Sequence, residues 1–306
     1  MGLRIASNVQ ALTAQRNLNA TTEANNASME KLASGFRINK AADDSAGLAI
    51  SEKLKADIRG INMARRNASD GVSLIQTAEG GLNEVGNILS RLRELAVQGS
   101  SDTVGDTERG FLNKEFSQLK NEITRIAKST EYNGTLLIGG DLGDSEPSLA
   151  ARSNNYPLEI QIGKNYFESV DSKDQASPVN VLRIDLQEIN STVGEDGLNL
   201  GEGSDDGAQV ASKETAQASI EMLDTAITKV SGYRSTLGAI QNRLNSAMSN
   251  LSVQAENANA ANSRIRDTDF AEESAKLTQT NILKQSGVAV LGQANQTPQL
   301  ALRLLG

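Results

Sequence analysis

The four prolines sit at 147, 157, 178 and 298, so residues 1–146 and 179–297 contain none. Proline breaks a helix more effectively than any other residue, because it lacks the N–H donor and its ring clashes with the preceding turn. Two long proline-free arms around a short interrupted centre therefore predict two helical arms flanking strands and turns. The periodicity agrees. From Leu54, apolar residues fall at 58, 61, 64, 68, 72, 75, 78, 82, 85, 89, 92 and 96. In the C-terminal arm Leu223, Val230, Leu237, Leu244, Leu251, Ala258 and Ile265 recur every seven residues, with Ile220, Ile227, Met248 and Ala255 filling much of a second seam. A mean spacing of 3.5 is the signature of helices that wind on partners. At about 1.5 Å per residue the seams are roughly 63 and 68 Å long, matched for antiparallel pairing in a long rod.

A third helix is expected where Leu112, Phe116, Leu119, Ile123 and Ile126 step by four and three, with Asp106 as its N-cap and Gly99 stopping the helix before it. Gly60, Gly71, Gly80, Gly81 and Gly86 lie inside the first long pattern. Each costs about 1 kcal/mol against alanine, so they point to close approach or to an adaptable rod. In the centre, Tyr132-Asn133-Gly134 marks a turn. Leu158, Ile160 and Ile162, then Leu182, Ile184 and Leu186, alternate with polar residues as two half-buried strands. The acidic, glycine-rich stretch 194–207 reads as a loop, without the ordered acids and closing Glu of a calcium site. The fold expected is mainly α: a long antiparallel coiled-coil rod with a small β-hairpin region and paired terminal helices.

Composition removes whole classes of chemistry. The chain has no His, no Cys and no Trp. Disulfides, thiolate or imidazole metal sites and His-dependent catalytic triads are excluded. A carboxylate-pair hydrolase using Asp205 and Asp206 would need them held rigidly, and adjacent acids in a glycine-rich loop are not. No enzymatic activity, cofactor or metal is expected. Of the net charge of −8, residues 141–210 hold 14 acids against 4 bases, so an acidic middle faces solvent and disfavours nucleic acid. The run Gln285–Leu302 is too polar to span a membrane, and the residues after Arg4 form no apolar signal segment. Export by a route without a cleaved signal, or retention in the cytoplasm, follows.

The ends are distinctive. Leu3, Ile5, Val9, Leu12, Leu18, Met29, Leu32 and Phe36 form a sparse stripe among asparagines and threonines, and the C-terminus closes on Leu300, Leu302, Leu304 and Leu305. Burying one Leu yields only about 1.5–3 kcal/mol, against about 1–2 kcal/mol of backbone entropy for every residue ordered. The ends are therefore expected to be disordered alone and helical when paired with each other and with neighbouring copies, in contacts that do not close.

The chain resembles bacterial flagellin. The N-terminal resemblance rests on Ile5-Ala-Ser-Asn-Val9, Ser34-Gly-Phe-Arg-Ile-Asn39 followed by Ala42-Asp-Asp44, Gln76-Thr-Ala-Glu79, Leu92-Arg-Glu-Leu-Ala-Val-Gln98 and Glu131-Tyr-Asn-Gly134. The C-terminal resemblance rests on Gly238-Ala-Ile-Gln-Asn-Arg243, Ser263-Arg-Ile-Arg-Asp-Thr-Asp269 and Gln293-Ala-Asn-Gln-Thr-Pro298. It covers roughly 1–140 and 208–306 strongly and the middle weakly. It implies three parts: a terminal coiled coil of 1–42 with 267–306 lining an inner tube, a helical rod core of 43–140 with 208–266, and an outward-facing variable segment 141–207, here too short for large outer domains. It implies a self-assembling filament subunit for swimming, located outside the cell; sheathed or periplasmic filaments are left open. The implied partners are further copies of the chain, a flagellar type-III-like export apparatus with its chaperone, hook-associated and cap proteins, and an innate immune receptor. The positions implied for that receptor are Arg91, Leu95 and Glu115, with Arg93 and Glu94 beside them. Competing expectations are a hook-filament junction protein with flagellin-like ends and a generic coiled-coil adaptor.

Overall fold

The computed structural model describes residues 8–140, 158–165, 180–186, 189–194, 197–201 and 207–305, with side chains to 296. Its helices are α1 (Val9–Ser34), α2 (Ser45–Gly99), α3 (Asp106–Ser129), α4 (Lys213–Arg266) and α5 (Phe270–Leu305). Its strands are β1 (Glu131–Tyr132), β2 (Thr135–Leu136), β3 (Leu158–Gln161) and β4 (Val181–Ile184). The mainly helical expectation holds. The chain forms two compact units, 1–58 with 256–306, and 59–255.

In the larger unit the expected seams meet. Leu82, Leu89, Leu92 and Ile75 of α2 share one buried cluster with Leu223, Leu237 and Leu244 of α4. The pairing is antiparallel. Gly99 lies against Ala216, Arg93 binds Asp224, Gly71 lies against Leu244, and Ile61 and Ala64 cluster with Leu251 and Ala255. As the number rises on one helix it falls by the same amount on the other. Phe116 and Ile123 of α3 join this cluster, and α3 runs back along α2, since Arg109 Nε donates to the Gly99 carbonyl at 2.9 Å and Arg91 reaches Glu115.

One helix-end expectation needs correction and the other holds. The N-cap of α3 is Gly105, not Asp106, and no side chain caps it; Asp106 is the first helical residue and accepts from Arg109 Nη1 at 2.8 Å. An acid there still complements the helix N-terminus. Gly99 is the last residue of α2, and a Cβ at this position would collide with Val210, so the glycine is there to let the chain pass close. Gly71 and Gly81 have the same reason: added Cβ atoms would meet Ile160 and Ile138. Gly80 and Gly86 face open space and show no such need.

The turn at Asn133-Gly134 closes a two-residue hairpin between β1 and β2, with φ of 51° and 79°, the left-handed pair that Asn-Gly favours. The two strands that the alternation predicted form, stopping short of Ile162 and Leu186, and they pair antiparallel with Leu158 opposite Ile184 and Ile160 opposite Leu182. The region after β4 departs from a solvated loop. Leu186, Ile189, Val193, Leu198 and Leu200 are all buried in the main cluster, tied by Leu198 N–H to the Thr192 carbonyl at 2.8 Å and Ser191 N–H to the Ile138 carbonyl at 2.9 Å. Leu198 and Leu200 lie within the acidic, glycine-rich stretch, whose composition hid them.

In the smaller unit α1 and α5 are antiparallel partners. Asn8 donates to the Ala294 carbonyl, Leu18 touches Gly287, and Asn25 Nδ2 donates to Thr280 Oγ1 and Asn281 Oδ1 at 3.1 and 2.9 Å. Past Gly35, an αL cap with φ of 74°, Phe36 bridges Asp267 in a short antiparallel pairing. Arg266 stacks on the Phe36 ring at 4.6 Å and bonds Glu52 at 2.8 Å.

Asp43 orders the turn that follows, accepting from the Asn39 and Lys40 backbone N–H groups, both at 3.0 Å. The Lys40 bond first and the Asn39 bond second hold its carboxyl below the ordinary aspartate value. A lowered folded pKa contributes stability that is full above the unfolded value of about 3.9 and is lost as pH falls through the folded one. The protection of the Asn39 and Lys40 amides, taken relative to intrinsic exchange at each pH, is therefore expected to fall as pH drops below about 4. In Asp43→Asn that acid-specific step should vanish; its persistence would remove Asp43 as the cause.

Candidate partner-binding surfaces

The terminal pair has an inverted interior. The residues that α1 and α5 bury are small or polar: Ala14, Asn25, Ser28, Glu273, Thr280 and Ala294. Val9, Leu12, Met29, Phe270, Ile282, Leu283, Val288 and Val290 are each half or more exposed. Of the expected assembly residues, Val9 and Leu12 are thus exposed, and Leu18 and Leu32 half-buried. Leu3 and Ile5 lie outside the described residues. Leu300, Leu302, Leu304 and Leu305 fall within α5, but their side chains lie outside those described. At about 100° per residue, Phe270 and Val288 share one direction on α5. Leu283 and Val290 lie on the other flank of the stripe that faces α1, and Ile282 lies opposite it. One partner cannot cover three sides.

The second surface lies on α2 and α3. Arg91 forks between two carboxylates. Its Nε and Nη2 bond Glu115 Oε1 at 3.1 and 2.9 Å, and its Nη1 bonds Glu94 Oε2 at 3.0 Å. These bonds, Glu115's first, raise its pKa above the ordinary arginine value. Arg93 bonds Asp224 Oδ1 on α4 at 2.6 Å, which raises its pKa likewise. All five charges stay exposed, so each pair fixes side-chain geometry more than it adds stability. The fold thus gathers Arg91, Glu94 and Glu115 into one network and ties Arg93 to a different partner.

Leu95 does not belong to that surface. It is 1% exposed and packs in the main cluster with Leu92 and Ala96. It lies one residue off the 3.5-spaced seam, in a cluster that also holds Phe116 and Ile123 of α3. Leu95→Ala should cost about 2–5 kcal/mol and lower the melting temperature of the larger unit by on the order of 10 °C. An unchanged melting curve would return Leu95 to the surface. Sequence reasoning also missed Asp224 as the partner of Arg93, which no local spacing signals.

Among the described residues no group of three or more acids is placed to hold a metal ion, and no helix is long and apolar enough to cross a membrane.

Residues 5–141 match the model of the bacterial flagellin N-terminal helical region, and residues 220–305 that of the C-terminal helical region. The chain belongs to the bacterial flagellin family. It is 42% identical over 301 residues to a flagellin of Halalkalibacterium halodurans, covering 98% of this chain and 99% of that one. It is 41% identical over 307 residues to a flagellin of Bacillus subtilis, covering 99% and 100%. Among solved structures, the crystal structure of Bacillus cereus flagellin aligns with a TM-score of 0.44 at 28% identity, covering 64% of this chain and 94% of that one. A putative flagellar hook-associated protein from Vibrio parahaemolyticus aligns with a TM-score of 0.54 at 16% identity, covering 74% and 100%, a likeness of fold alone. This flagellin is accordingly a structural subunit that polymerises with itself into the extracellular flagellar filament of swimming bacteria. The junction-protein alternative has weaker support, because the full-length sequence relatives are flagellins.

Proposed function

We propose that the terminal pair is the part of this flagellin that filament assembly completes. The observation that carries this is the inverted interior: large apolar side chains outside, small and polar ones within. Leu3, Ile5, Val9, Leu12, Leu18, Leu32, Leu300, Leu302, Leu304 and Leu305 pack against the same segments of neighbouring copies. Burying the eight exposed apolar side chains of α1 and α5 offers on the order of 10–20 kcal/mol, enough to offset ordering ends that are marginal alone. In this reading 1–42 with 267–306 forms the inner tube, 43–140 with 208–266 the rod around it, and the acidic residues of 141–207 the outer face. Their mutual repulsion keeps filaments apart.

The chain leaves the cell through a flagellar type-III-like apparatus with an export chaperone, and meets hook-associated and cap proteins at the filament ends. Arg91, Arg93, Glu94 and Glu115 supply the charged surface read by an innate immune receptor, with Leu95 supporting it from beneath. No nucleic acid or membrane insertion is involved. The test of the assembly role is deletion of residues 1–40. The truncated chain should remain a soluble helical protein that no longer elongates filament seeds; filaments of normal length under electron microscopy would sink the role given to the ends.

A further inference from the structure

Two exposed stripes of the larger unit share a spacing and oppose each other in chemistry. On α2, Arg59, Met63 and Arg66 step by four and then three residues and stay within about 60° of arc. On α3, taken from its C-terminal side, Glu115, Phe111 and Glu108 step by four and then three. Each stripe sets one apolar side chain between two like charges. Met63 is 49% and Phe111 64% exposed, and the four charged residues are exposed as well. Arg59, Arg66 and Glu108 have no hydrogen-bond or ion-pair partner among the described residues, while Glu115 is held by Arg91 and the Lys114 ammonium lies 5.8 Å from the Phe111 ring centre.

The stripes also agree in direction. Because α3 runs antiparallel to α2, travel along α2 meets Glu115, Phe111 and Glu108 in that order, matching Arg59, Met63 and Arg66. The Arg91–Glu115 bond puts Glu115 level with Arg91, 32 positions beyond Arg59 on α2, or about 48 Å. That distance is far beyond side-chain reach, so one chain cannot satisfy its own stripes. One shift of about 48 Å along α2 brings all three pairs to the same level at once: Arg59 with Glu115, Met63 with Phe111, Arg66 with Glu108.

We propose that these stripes dock one copy of the chain onto the next, α2 of one against α3 of the other. The inference rests on self-assembly, and adds which residues set the repeat along the contact. Opposite charges at fixed spacing select the register and reject slipped ones. The thioether of Met63 on the Phe111 ring supplies the apolar centre. Because the two faces differ, the contact is heterologous and propagates instead of closing. It also covers Glu115, so the charged network around Arg91 is open in the monomer and hidden in the filament.

The test is a charge swap. Arg66→Glu, Glu108→Arg and the double variant are each brought to steady state with wild-type seeds at low ionic strength. Unpolymerised protein is then measured, with circular dichroism confirming that the monomers stay folded. Each single variant is expected to raise the critical concentration about tenfold, and the double variant to return within about threefold of wild type. Single variants that polymerise like wild type, or a double variant as poor as the two effects combined, would overturn the proposal while leaving self-assembly intact. Wild-type protein that fails to elongate seeds would overturn both. A helical reconstruction of the wild-type filament gives a second reading: Met63 of one copy must contact Phe111 of another displaced by about 48 Å. Contact elsewhere rejects the assignment.

Discussion

Val9→Asp combined with Leu12→Asp is expected to raise the critical concentration for filament growth at least about a hundredfold while leaving the helicity of the single chain unchanged. Both side chains are more than half exposed on α1, so a charge there meets only water in the monomer. In a filament the same positions would be buried against other copies, and each would lose its apolar contribution of about 1.5–3 kcal/mol and add a desolvated carboxylate. Two sites at about 1.4 kcal/mol per tenfold give the expected factor. Sedimentation of unpolymerised protein reads it directly. Normal polymerisation of the double variant would mean that this face of α1 meets solvent in the filament too.

The opposite result is expected from the same chemistry in the rod. Leu244 is fully buried and lies against Gly71 of α2. Leu244→Asp would remove about 2–5 kcal/mol of packing and leave an unpaired charge in the core. The sum is comparable with the 5–15 kcal/mol by which a domain of this kind is stable. Most helical signal from the larger unit should be lost at room temperature. Leu244→Met, which keeps volume and polarity, should cost less than about 1.5 kcal/mol and fold normally. A folded Leu244→Asp variant would contradict the paired-seam core.

The contrast between Leu12 and Leu244 explains what was legible in the chain. Where apolar residues recur every three or four positions over many turns, the pattern names both the helix and its buried face, and Ile75, Leu82, Leu89, Leu223, Leu237 and Leu244 are all in the core. Asn133-Gly134 carried its own turn, because only such residues accept two successive positive φ angles without strain. Local pattern failed where burial depends on a distant segment. Leu95 lies off the seam yet is buried in a cluster that includes Phe116 and Ile123 of α3; Leu198 and Leu200 are drawn inward from an acidic stretch; Gly99 admits Val210 from more than a hundred residues away. At the ends, the stripe of Val9 and Leu12 did not name a buried face: both side chains stay more than half exposed. The charged residues were found, yet their grouping was not. Arg91 with Glu115 and Arg93 with Asp224 are long-range pairings that no spacing along one helix specifies.

Hydrogen exchange at the backbone amides of α1 and α5, compared between monomer and filament, tests the central claim most directly. If neighbouring copies complete the terminal pair, amides of residues 9–34 and 270–305 should exchange rapidly in the monomer and become strongly protected in the filament, while residues 75–92 and 223–244 stay protected in both. Equal protection of the terminal helices in the two states would show a pair that is stable by itself, and would contradict the account.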